Sequence, residues 1–78
     1  MPRFFFHFHD GDAHDIDSDG LEFPSLEHAL SDVRQAAREM LEERLIAGDP
    51  IDGQRFDVAD EDGRVLETVT FKSMLNGS

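Results

Sequence analysis

Residues 25–48 read SLEHALSDVRQAAREMLEERLIAG, and their spacing decides the fold. Leu26, Leu30, Val33, Ala37, Met40 and Leu41 recur at intervals of three and four, flanked by Ala29 and Ala36. At about 100° per residue these side chains form one apolar stripe. Glu27, Gln35, Arg38, Glu39 and Glu42 point the other way. Ser25 offers the side-chain oxygen of an N-cap, and Glu27 sets a carboxylate at the positive end of the helix dipole. Gly48 supplies the left-handed residue that ends a helix. The spacing therefore predicts a helix of 22 residues, about 33 Å long. Arg44 falls on the stripe near its end, so its stem is expected against the core and its charged head in water. His28, four residues before Asp32, reads as an exposed helical partner of that carboxylate.

Upstream of the helix, Arg3-Phe4-Phe5-Phe6-His7-Phe8-His9 reads as a strand. Alternation puts Phe4, Phe6 and Phe8 on one face and Phe5, His7 and His9 on the other. Residues 10–20 then turn to loop chemistry, with Asp-Gly at 10–11 and again at 19–20. Leu21-Glu22-Phe23 can return as a short strand beside the first, and Pro24 ends the pairing because it has no N–H to donate. Downstream, residues 54–59 and 64–71 read as two strands around the turn Asp60-Glu61-Asp62-Gly63. A four-residue loop would set Val58 opposite Val65 and Phe56 opposite Glu67. Phe56, Val58, Val65, Val69 and Phe71 would then share the core face. Lys72 to Ser78 lacks periodicity and is expected to fray. The order β-β-α-β-β implies an α+β two-layer sandwich: a small antiparallel sheet of three to four strands covered on one face by the long helix. The whole chain, 1–78, reads as a single domain with its core at about residues 3–71.

Composition narrows the function. Seventy-eight residues carry 18 Asp and Glu against 7 Lys and Arg, a formal charge of −11. The few cations stand singly among carboxylates, so neither nucleic-acid phosphates nor an anionic membrane is an expected partner. A basic protein would be steered toward this surface. With no Cys, disulfides and thiolate metal sites are excluded. No apolar run is long enough to span a bilayer, and Met1-Pro2-Arg3 followed by alternating Phe and His does not read as the unbroken apolar stretch of a signal peptide. A cytoplasmic location is the expectation.

Met1-Pro2-Arg3-Phe4-Phe5-Phe6-His7 with Asp10-Gly11, and then Asp17-Ser18-Asp19-Gly20-Leu21-Glu22-Phe23-Pro24-Ser25-Leu26-Glu27-His28-Ala29, follow one another in a specific order and spacing. Together with Asp60-Glu61-Asp62-Gly63-Arg64-Val65-Leu66, Thr68-Val69 and Phe71, they resemble the small bacterial domain-of-unknown-function family 6894. The likeness runs from Met1 to about Phe71 and implies a small stand-alone cytosolic protein. It brings no activity, catalytic residue or cofactor with it.

Two clusters are candidates for chemistry. In His7-Phe8-His9-Asp10-Gly11-Asp12 the two imidazoles share a strand face, and Asp10 or Asp12 could close a divalent-metal site. The other reading makes His7 and His9 half-buried sheet residues beside Phe5, with His14 solvated. Asp15-Ile16-Asp17-Ser18-Asp19-Gly20 opens like a calcium loop, but Glu22 and Leu26 stand where such a loop needs an apolar residue and a bidentate Glu. No catalytic arrangement and no cofactor are assigned. The expected function is a non-catalytic protein-interaction or regulatory module, with metal binding by His7, His9, Asp10 and Asp12 as the alternative. Because one helix covers one sheet face, Phe5, His7 and His9 are the expected contact residues. Either a basic protein or a second copy of the chain, as a homodimer, would cover them.

Overall fold

The computed structural model describes residues 1–75 of the 78. Its elements are β1 (Arg3–Asp10), β2 (Ala13–Asp15), β3 (Leu21–Glu22), α1 (Leu26–Ala47), β4 (Arg55–Ala59), β5 (Val65–Thr70) and α2 (Phe71–Leu75). All pairings are antiparallel, in the order β2-β1-β4-β5, with β3 also on β1. The architecture is the expected α+β sandwich, with five strands in place of three to four.

The added strand is β2. Gly11 takes φ +60° in the Asp10-Gly11 turn, and the chain doubles back so that His9 faces His14 and Phe8 faces Asp15. β3 takes the other end of the same edge, with Arg3 opposite Glu22 and Phe4 opposite Leu21. Between these short strands the Phe6 N–H donates to Asp17 Oδ2 at 3.2 Å. A side chain thus completes an edge that strand pairing leaves open.

α1 begins where its cap requires. The Ser25 oxygen accepts from His28 N, and Gly48 at φ +76° closes the helix with its N–H directed to Arg44 and Leu45 carbonyls. Ala29, Val33, Ala37 and Leu41 are buried along the stripe, with Leu26, Leu30 and Met40 half-buried at its sides. Small residues at the centre let the helix lie close to a sheet face that is rich in Phe. Phe4, Phe56, Val58 and Val69 are buried beneath it, and the Phe8 ring lies 5.0 Å from Phe56 and 5.8 Å from Phe71. His28 does not turn to Asp32; its Nδ1 lies 2.8 Å from Ser25 Oγ, at the cap.

Three expectations are corrected by packing. First, the closing hairpin is shifted: Ala59 faces Val65, an irregularity follows, and Val58 then faces Glu67 while Phe56 faces Val69. The extra residue of a bulge moves the register, so Val65 leaves the core and is 52% exposed. Second, the Arg44 head does not reach out to water. Its Nη2 meets Asp10 Oδ2 at 2.7 Å, while the buried Gln54 donates to Asp10 Oδ1 at 3.0 Å. Third, the stretch expected to fray from Lys72 onward is helical as far as Leu75, because Phe71 is fully buried and Met74 packs on the same core. The remainder of that stretch, 76–78, lies outside the described residues.

Candidate functional site

Strand alternation sorts the sheet into two faces. α1 covers Phe4, Phe6 and Phe8 of β1, whereas Phe5, His7 and His9 stand on the side that no described element packs over. Cross-strand register builds three rows there: Phe5–Ala59–Val65, His7–Asp57–Thr68 and His9–Arg55–Thr70. His14 extends the third row from β2. The first row is apolar and the other two are polar.

A hydrogen-bonded chain crosses the polar rows. His9 Nε2 lies 3.0 Å from Asp57 Oδ2, and His9 Nδ1 lies 2.6 Å from His14 Nδ1. Thr68 Oγ1 donates to Asp57 Oδ1 at 3.0 Å, and Arg55 Nε stands 3.5 Å from the same oxygen. The side chains of His9 and Asp57 are only 14% and 15% exposed, because neighbours on their own face shield them. A carboxylate facing an imidazole accepts, so His9 Nε2 carries the proton and Nδ1 of the neutral ring is left as a lone pair. Thr68 lies behind the carboxylate and not in front of the imidazole, so it is not placed as a nucleophile activated by His9.

His7 is engaged differently. Its Nδ1 accepts from Asp17 N at 3.1 Å, and its ring stacks on Phe5 with centroids 6.5 Å apart. Asp17 is the anchor of the loop between β2 and β3. Its Oδ1 accepts from Asp19 N and Gly20 N, each at 3.1 Å, and Oδ2 from Phe6 N. Burial works to raise its pKa, but the amides of Gly20, Phe6 and Asp19, with the His7 ring beside it, outweigh burial and hold it below the ordinary carboxylate value. The half calcium loop is in this way satisfied from within.

The four residues expected to share a metal are not brought together. His7 and His9 do share a face, but Asp10 lies on the helix side with Arg44 and Gln54, and Asp12 is exposed in the turn. Among the described residues no group of three or more His, Asp or Glu is gathered as a metal site would need. Sequence reasoning left His14 as a solvated residue and passed over Asp57. The Asp10-Gly11 turn was the available sign for His14, since a hairpin there sets it against His9. Asp57 had no comparable sign, because its place depends on the pairing of β4 with β1.

These features define a small α+β protein of charge −11, with one sheet face under a helix and the other carrying a histidine–carboxylate chain. The chain belongs to the family Domain of unknown function (DUF6894), which it matches over residues 3–72. No curated protein and no solved structure matches it. Among the described residues no helix is long and apolar enough to cross a membrane.

Proposed function

We propose that this protein is a non-catalytic interaction module whose open sheet face receives a basic protein. The observation that supports this reading is the apolar row Phe5–Ala59–Val65 beside a fixed polar network, with no helix over it: Val65 is exposed, Phe5 half-buried, and the small Ala59 buried between them. Val65 is 52% exposed and Leu66 37%. Acidic loops rim the row: Gly20 lies under the Phe5 ring next to Asp19, and Asp60, Glu61 and Asp62 lead into Val65. With a net charge of −11, a partner of opposite charge is attracted, whereas a second copy is repelled.

A photo-crosslinking residue at Val65, compared with one at the outward helix position Glu39, tests this in cells that express the protein natively. A crosslink from position 65 alone, to a protein of basic isoelectric point, is expected. Its yield should fall when Asp60 and Asp62 are changed to Asn. Equal crosslinking from position 39, no crosslink from either, or capture of an acidic protein would overturn the reading. So would a sedimenting species of twice 8.8 kDa, which would give the face to a second copy.

A further inference from the structure

We propose that His9 and His14 form a two-histidine chelate for a divalent transition metal of the zinc, nickel or copper kind, with Asp57 as the carboxylate behind it. The site differs from the cluster suggested by the sequence, since it uses neither Asp10 nor Asp12 and leaves His7 to Asp17.

Three observations carry it. The two residues are direct cross-strand partners on β1 and β2, so the backbone sets both imidazoles side by side on the open face. Their Nδ1 atoms converge to 2.6 Å. Two imidazole nitrogens bound to one metal at about 2.0–2.1 Å stand about 3.0–3.4 Å apart, so the rings need to part by less than about one ångström. His14 is exposed on a strand of three residues, which leaves its ring free to make that movement.

The third observation is the arrangement behind His9. Its Nε2–H is directed to Asp57, which is itself held by Thr68 and approached by Arg55. A ligating histidine ordinarily gives its other N–H to a carboxylate, which fixes the tautomer and makes the free nitrogen more basic. Asp57 therefore leaves the His9 Nδ1 lone pair aimed at the gap beside His14. Imidazole suits zinc, copper and nickel, and the remaining coordination positions are open to water. Without metal, the same gap is closed by an N–H···N bond between the two rings.

Titration of the full chain with nickel chloride, followed by calorimetry and by broadening of backbone amide signals, tests the site. One saturable equivalent is expected, with broadening centred on residues 8–10 and 13–15. His14→Ala, an exposed change that leaves the fold standing, should abolish that equivalent, and Asp57→Asn should weaken it about 10-fold or more. His7→Ala and His28→Ala should leave it unchanged. Uptake that persists in His14→Ala, or broadening spread over the carboxylates of the loops, would overturn the proposal. Equal uptake of magnesium would do the same, since it would mark the acidic surface as the binder.

Discussion

The loop that joins β2 to β3 and the turn that joins β4 to β5 are built from the same parts and differ in what they touch. Each has an Asp whose carboxylate gathers backbone amides, and each ends on a left-handed glycine. Asp17 accepts from Asp19, Gly20 and Phe6, and Asp60 Oδ1 accepts from Asp62 and Arg64 at 2.9 Å each. Gly20 and Gly63 take φ of +70° and +83°. Around Gly63 a methyl group would meet nothing, but at Gly20 it would stand 2.8 Å from Phe5 Cε2 and 2.9 Å from the Phe4 carbonyl. One loop is therefore a local turn. The other is a tertiary clamp that reaches β1 through Phe6 N and His7 Nδ1. Local chemistry alone makes them equal, and only packing separates them.

Substitution should expose that difference, most strongly at the glycines. Gly20→Ala carries the left-handed penalty of about 1–2 kcal/mol together with an overlap against backbone that costs about 1–3 kcal/mol. The sum, about 2–5 kcal/mol, is a large part of the stability of a small domain. Urea unfolding should show a midpoint far below that of the wild type. A Gly20→Ala protein as stable as Gly63→Ala would erase the distinction between clamp and turn.

Asp17 comes next. Asp17→Asn keeps the shape but weakens three amide bonds to a charged acceptor, with an expected loss of about 1–3 kcal/mol. Acid should sharpen the result. Because the folded pKa lies below the unfolded one, the contribution of Asp17 is fully present above the unfolded value near pH 4 and is lost as pH falls through the folded value. Stability of the wild type should thus drop more steeply below pH 4 than that of Asp17→Asn. Parallel curves would mean that the carboxylate does not anchor the loop.

Both loops were legible as turns, from Asp19-Gly20 and from Asp60 to Gly63, yet neither outcome of the turn was. The helix was legible throughout because its signals are local: the Ser25 cap, the Gly48 stop and the stripe between them. Strand parity likewise placed Phe5, His7 and His9 on one face. It also sets Asp10 on the Phe side, and the expectation that the turn would carry Asp10 back to the imidazoles was mistaken. What stayed hidden depends on register. The irregularity at Val58/Ala59 moves every later partner in β5, and no periodicity announces a bulge. Asp57 meets His9 only through the pairing of β1 with β4, whose partners lie 54 positions apart at Phe5–Ala59 and 46 apart at His9–Arg55. Half of the candidate site therefore lay beyond local reading.

Gly63→Ala measures the turn alone. With open space around the added methyl, only the left-handed penalty of about 1–2 kcal/mol remains. Its unfolding midpoint should fall between those of Gly20→Ala and the wild type. A loss as large as that at Gly20 would show that the hairpin turn also bears on tertiary structure.

The smallest effect should come from loosening the link that Arg3 makes between the two loops. Arg3 lies between them: its Nη1 donates to the Asp19 carbonyl at 2.9 Å, and its backbone N–H donates to Glu61 Oε1 at 3.0 Å. The Glu61 bond is exposed, so water replaces it when the carboxylate is removed. Glu61→Ala should therefore change global stability by no more than about 1 kcal/mol. The Arg3 amide would nonetheless lose its partner, and its hydrogen exchange should speed up while the amides of Phe6 and Gly20, held by Asp17, keep their rates. That pattern would make the linkage local, as the comparison requires. Faster exchange at Phe6 and Gly20 as well would mean that the turn supports the clamp through Arg3, and the two loops would then act as one unit.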